Sequence, residues 1–123
     1  MYDLLFWLYL VNAVLLINHE IDSAYWKEWD LFGLKGGISG FLISHFPLIF
    51  IVLFGLVEVS NHTFTGMILS LLLSLAGIFA FSIHMMFLAK GRKEFRAPVS
   101  LFILISTLLV SVAQLVFTIV RMA

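Results

Sequence analysis

Charged residues divide the chain into long apolar runs. Asp, Glu, Lys and Arg are absent from 36–57, 59–89 and 97–120. A helix that rises 1.5 Å per residue needs about 20 residues to cross a hydrocarbon core about 30 Å thick, so each run is long enough to span a membrane. A shorter charge-free run, 4–18, lies near the amino terminus. It has no basic region before it and no small-residue cleavage site after it, so we expect a fourth span and not a removable signal peptide.

These runs predict an all-α protein, an antiparallel four-helix transmembrane bundle. The predicted spans are 4–24, 39–58, 64–88 and 98–120. The connections are too short to hold a soluble domain, so we expect one integral membrane domain over 1–123. Whether the bundle forms a homodimer stays open.

The first helix is expected to continue beyond the membrane. Glycine and proline, which end helices, do not occur in 2–32. A single helix over this stretch would be about 45 Å long, so its polar end, 20–30, would extend along the membrane interface. Trp26 and Trp29 in that segment are the aromatic residues expected at lipid headgroups.

Composition agrees with a protein of the cell membrane. Hydrophobic residues make up 63% of the chain and charged residues 11%, and the mean hydropathy is +1.13. These values exclude a soluble enzyme and make membrane lipid the expected surrounding. The formal net charge of zero argues against nucleic-acid binding. The absence of cysteine excludes disulfides and thiolate metal sites.

Basic residues are distributed unequally between the two ends of the predicted bundle. The end that holds the first and third loops carries Lys27, Lys35, Lys90, Arg92, Lys93 and Arg96. The other end carries only Arg121 and the amino terminus. Positive residues favour the cytoplasmic side, so we expect both long loops in the cytoplasm and both termini outside it.

Small and polar residues repeat on the last two spans at a spacing that places them on one helix face. The third span has Gly66, Ser70 and Ser74, and the fourth has Ser100, Thr107, Ser111, Gln114 and Thr118. Small residues four apart let membrane helices approach closely, and polar ones hydrogen-bond between helices. The pattern predicts a polar interior.

Three histidines lie at one membrane level in this topology. His19, His45 and His84 each occur near the predicted cytoplasmic end of a span, and Asp22 follows His19 by three residues on the same helix face. Neutral imidazoles and a carboxylate suit zinc or ferrous iron, and three protein ligands with an open position are typical of catalytic zinc. The alternative is that each side chain only makes its own interhelical hydrogen bond.

The predicted histidine cluster and polar interior are compatible with two functions. In the first, His19, Asp22, His45 and His84 hold the metal of a membrane-embedded enzyme, and Glu20 or Glu28 is its general base. That enzyme would act on a lipid or another hydrophobic substrate at the cytoplasmic leaflet. In the second, the protein is not an enzyme but a small transporter or an accessory subunit, and its polar stripe binds an ion, a haem or a partner helix.

The same residues resemble the motifs of an uncharacterised family of small bacterial four-helix membrane proteins. The first span holds His19-Glu20-Ile21-Asp22, followed by Glu28-Trp29, and the second holds His45-Phe46-Pro47. The corresponding family patterns read His-Glu-Leu-Asp-Ala, Glu-Trp and His-x-Pro. His84, Phe95 and Ser100 match a later part of the pattern, whereas Lys27 and Asp30 replace its histidine and arginine. The resemblance implies a four-helix membrane protein and brings no activity with it.

Overall fold

Five helices account for most of the chain. A computed structural model describes residues 2–123, and Met1 lies outside the described part. The helices are α1 (Leu4–Tyr25), α2 (Glu28–Leu31), α3 (Gly37–Ser60), α4 (Phe64–Ala89) and α5 (Pro98–Met122). The rest of the described chain forms turns and short connections.

Four of these helices are long and apolar enough to cross a membrane. They pack together, and the three-residue turn between α3 and α4 makes these two neighbours antiparallel. The predicted four-helix bundle is therefore confirmed. Each helix end lies within two residues of the corresponding predicted span. The extent of the single domain, 1–123, stays a prediction.

Side chains and local geometry set the helix ends. Asp3 accepts a hydrogen bond from the Phe6 amide at 3.1 Å and caps α1, and Thr63 accepts one from the Gly66 amide at 3.0 Å and caps α4. Pro98 occupies the first residue of α5, where its missing amide proton costs nothing. These features start the helices where the apolar runs begin.

The interior has an apolar cluster and a polar seam. The apolar cluster consists of buried side chains of α1, α3 and α4: Leu5, Tyr9, Ala13, Leu16, Val52, Val59 and Leu73. The polar seam consists of Asn12, Ser70, Ser111, Gln114 and Thr118, which hydrogen-bond between α1, α4 and α5. All of the polar and small residues predicted to face inward from α4 and α5 are buried. The predicted polar interior is confirmed.

The α3 helix packs closely against the bundle only in its second half. Its buried residues are Val52, Gly55 and Val59, all in its second half. A Cβ on Gly55 would lie 2.0 Å from the Tyr9 hydroxyl oxygen, so only glycine permits this close approach of α3 to α1. The first half of α3 therefore lies farther from the bundle interior, on the side where α1 ends.

The extension of the first helix differs from the continuous helix expected from the sequence. The α1 helix ends at Tyr25, and Lys27 adopts a left-handed conformation (φ 53°) before the four-residue α2 begins. The expectation of one unbroken helix over 2–32 is wrong. Although glycine and proline are absent here, the turn at Lys27 directs Glu28 back toward the bundle, where its carboxylate meets a buried histidine.

Candidate metal centre

Two buried histidines face each other where α1 and α4 end. His19 on α1 is 3% exposed and His84 on α4 is 2% exposed. Their ring centroids lie 4.6 Å apart, and the ring planes are nearly perpendicular at 88°. Phe95, in the connection before α5, packs on both rings, with centroid distances of 5.6 Å to His19 and 4.4 Å to His84. Phe95 thus shields this pair from the side of the α4–α5 connection.

Glu28 reaches the same pair from α2. Its Oε1 atom lies 3.4 Å from His84 Nε2, and its side chain is only 14% exposed. One ligand atom from each of His19, Glu28 and His84 lies within 4.8 Å of the other two. The 3.4 Å between Glu28 Oε1 and His84 Nε2 is the separation expected of two tetrahedral ligands with bonds of about 2.0–2.2 Å to one metal ion.

Hydrogen bonds fix the role of the His84 nitrogens. Nδ1 lies 2.7 Å from the Ala80 carbonyl oxygen, which can only accept, so Nδ1 carries the proton. In the neutral ring, Nε2 then presents a lone pair toward Glu28, which also only accepts. Within residues 2–123, the buried atoms His84 Nε2 and His19 Nδ1 have no hydrogen-bond partner. Buried polar atoms are rarely unpaired, and a metal-binding histidine usually donates its other N–H to a carbonyl or carboxylate, as His84 does.

The charge of Glu28 suits a metal ligand. Burial opposes ionisation of this side chain, but the His84 ring in its protonated state and the Ser23 hydroxyl favour it, and the pKa of the Glu28 carboxyl then lies below its ordinary value. Glu28 is therefore a carboxylate at neutral pH, the state in which it can bind a cation.

The structure places His45 with Glu20 and not with the other two histidines. His45 Nε2 forms an ion pair with Glu20 Oε2, and His45 Nδ1 lies 2.6 Å from the Phe41 carbonyl oxygen. Both ring nitrogens of His45 thus face oxygen partners. The His45 side chain extends from the first half of α3, and its nitrogens are not among the converged ligand atoms.

Asp22 also lies outside the converged set. It lines a surface cavity beside the start of α5, with Trp26, Val99 and Ser100 among the other lining residues. Its Oδ2 atom is buried and has no hydrogen-bond partner among the described residues. Its role as a ligand, expected from the three-residue spacing after His19, stays a prediction that the converged set does not include.

Two cavities adjoin the His19, Glu28 and His84 cluster. The first, of about 480 Å³, lies between α1, α3 and α4, and its mostly apolar walls include these three residues. The second, of about 330 Å³, lies between α1, α2 and the start of α3, and Lys35, Ser44 and His45 are among its lining residues. Glu20, Glu28 and Phe32 line both cavities. A hydrophobic compound in the first cavity would lie beside the cluster.

Comparison with protein families matches residues 5–121 to a family of unknown function, DUF6713. The chain belongs to DUF6713. This match confirms the resemblance to an uncharacterised family, while the bacterial source stays an expectation. Neither the curated proteins nor the solved structures include a match to this DUF6713 member.

The sequence of this DUF6713 member indicated two of the three converged residues as ligands. His19 and His84 were predicted as ligands, and Glu28 as a general base. The geometry makes Glu28 a third candidate ligand because the chain turns at Lys27, a feature without a glycine or proline signal. The role of Phe95 was not predicted, although the resemblance included this residue.

Proposed function

We propose that this DUF6713 protein is a multi-pass membrane protein that binds one zinc or ferrous ion through His19, Glu28 and His84. The observation that carries the proposal is the convergence of the three ligand atoms, together with the Ala80 hydrogen bond that leaves His84 Nε2 free. Two imidazoles and one carboxylate are typical of both metals, and both tolerate further positions open to substrate or water.

The proposal extends to a metal-dependent reaction on a hydrophobic substrate. The metal would supply a Lewis acid at the polar end of a mostly apolar cavity. Glu20 lines the same cavity and lies against His45. Because Glu28 becomes a ligand in this arrangement, we assign the general base to Glu20, which His45 would hold in position.

The site is proposed to lie at the cytoplasmic leaflet of the cell membrane. The support is the unequal distribution of basic residues, of which only Arg121 lies at the opposite end of the bundle. Both termini would then be outside the cytoplasm.

The metal content of purified protein tests this proposal. Wild-type protein should contain about one zinc or iron per protomer, and His19→Ala, Glu28→Gln and His84→Ala should each lose most of it, because the remaining two ligands bind weakly. The double variant His19→Ala with His84→Ala should contain only slightly less metal than either single variant.

Two further histidines provide controls. His62 is exposed on the opposite rim, next to Asp3, and His62→Ala should keep the metal. His45→Ala should keep it as well, because the ligand atoms of His45 are not part of the converged set. Metal-free wild-type protein, a haem absorption band, or equal metal in the His84→Ala variant would contradict the proposal.

A further inference from the structure

The first cavity exists because α3 separates from the bundle over half of its length. The buried residues of α3 begin only at Val52, so residues 37–51 leave a cleft between α1 and α4. On the α4 side, the small side chains of Ala76 and Ala80 line this cleft. Larger residues at these two positions would fill much of the space.

The cleft has a closed end and a polar end. The Tyr9 hydroxyl donates to the Val52 carbonyl oxygen at 2.7 Å and joins α1 to α3 at the closed end. His19, ten residues farther along α1, marks the polar end. Ten helical residues span about 15 Å, which is the hydrocarbon thickness of one leaflet, half of about 30 Å. The cleft therefore has the length of a lipid tail in one leaflet.

The cleft is open on the side that faces the bilayer. Leu48, Ile51, Leu72 and Phe79 line it and are all exposed on the outside of the bundle. Since α3 and α4 are each long and apolar enough to span a membrane, lipid would surround the opening. A tail could enter laterally without leaving hydrocarbon.

The second cavity adds a place for a headgroup. It shares Glu20, Glu28 and Phe32 with the cleft and lies beyond its polar end. Glu20 is paired with His45, and Glu28 lies against His84. Lys35 lines the second cavity and has no ion-pair partner within the described part of the chain. Lys35 thus brings to this cavity a positive charge that pairs with no described carboxylate, and such a charge favours an anionic group.

We infer that the two cavities form one binding site for an anionic phospholipid. One acyl chain lies in the cleft between α1, α3 and α4, and the phosphate lies near Lys35 in the second cavity. The inference rests on the proposed function in one respect, because the bound lipid would be the hydrophobic compound presented to the metal.

Photolabelling tests this site directly. Purified full-length protein is irradiated with phosphatidylglycerol that carries a diazirine in the middle of one acyl chain, and the labelled peptides are mapped by mass spectrometry. We expect saturable labelling, with about one lipid per protomer, at Leu73 and neighbouring positions that line the cleft but are buried from the bulk membrane. Unlabelled phosphatidylglycerol should compete.

Three variants separate the cleft from the outer surface. Ala76→Phe should reduce cleft labelling at least about tenfold, because the ring fills the tail site, and it should fold because Ala76 is exposed. Ser82→Phe adds a ring on the same helix at an exposed position outside both cavities and should label as wild type does. Lys35→Gln should weaken the preference for phosphatidylglycerol over phosphatidylcholine about fivefold, equivalent to about 1 kcal/mol for one basic residue near anionic lipid.

The outcomes distinguish this inference from the proposed metal centre. Unchanged cleft labelling in Ala76→Phe, or crosslinks between two protomers through the cleft, would overturn the lipid site. The metal content of the same samples should be equal in wild type, Ala76→Phe and Ser82→Phe. Cleft labelling in protein that binds no metal would support the lipid site and contradict the metal centre.

Discussion

His84 presents its two ring nitrogens to two different kinds of partner. Nδ1 donates to the backbone of its own helix, at Ala80, so the tautomer is set within α4 and does not depend on any other element. Nε2 is then aimed at Glu28 Oε1 as a buried lone pair. In the proposed centre, Nε2 is the atom through which His84 would bind the metal.

Gln114 is the centre of the polar seam. Its Oε1 accepts from Asn12 at 2.8 Å, and its Nε2 donates to the Ser70 hydroxyl and carbonyl oxygens at 2.9 and 3.1 Å. Gln114→Leu leaves polar groups of α1 and α4 without partners, and should lower the free energy of unfolding by about 1–2 kcal/mol. Reversible unfolding in detergent or bicelles measures this change.

The double variant gives the control for that prediction. Because Asn12 and Gln114 share a hydrogen bond, Asn12→Leu combined with Gln114→Leu should cost less than the sum of the two single changes. Strictly additive losses would show that the two side chains act separately. The metal content should stay unchanged, since neither residue lines the cavity that contains the cluster.

At the scale of elements, the break between α1 and α2 determines where Glu28 lies. Lys27 has a φ of 53°, a conformation that costs a residue with a Cβ about 1–2 kcal/mol and that glycine adopts freely. Lys27→Gly should therefore raise the free energy of unfolding by about 1 kcal/mol and keep the metal. Lys27→Pro cannot adopt this φ and should displace Glu28, so that metal binding falls. A loss of stability in Lys27→Gly, or full metal binding in Lys27→Pro, would contradict this account of the turn.

The helix bounds could be predicted from the sequence because charged residues end the apolar runs. The face of α5 that points into the bundle could also be predicted. Its polar residues recur at three- and four-residue spacing, and they avoid hydrocarbon only if that face is turned inward. The break at Lys27 could not, because local sequence contains no glycine or proline there and the turn is stabilised by contacts distant in sequence. The separation of the first half of α3 could not be predicted either, because its sequence does not show how closely it packs against α1 and α4.

At the scale of the whole molecule, the order of the helices predicts the end of the bundle at which the histidines lie but not the side chains that they contact. His19, His45 and His84 do lie near the same end of the bundle, as the antiparallel order of the helices requires. Which side chains converge depends on the rotation and separation of each helix, and His45 extends from the separated part of α3 to Glu20. The sequence thus predicted three imidazoles with Asp22, whereas the structure brings two imidazoles together with Glu28.

This difference makes the ligand count the most direct test of the proposed centre. X-ray absorption at the zinc edge, recorded on protein loaded with one zinc per protomer, measures the number of imidazoles bound to the metal. We predict two imidazoles, with oxygen ligands completing the shell at about 2.0–2.2 Å. Three imidazoles would bring in His45 and contradict the convergence of His19, Glu28 and His84, and protein that retains no zinc would contradict the centre altogether.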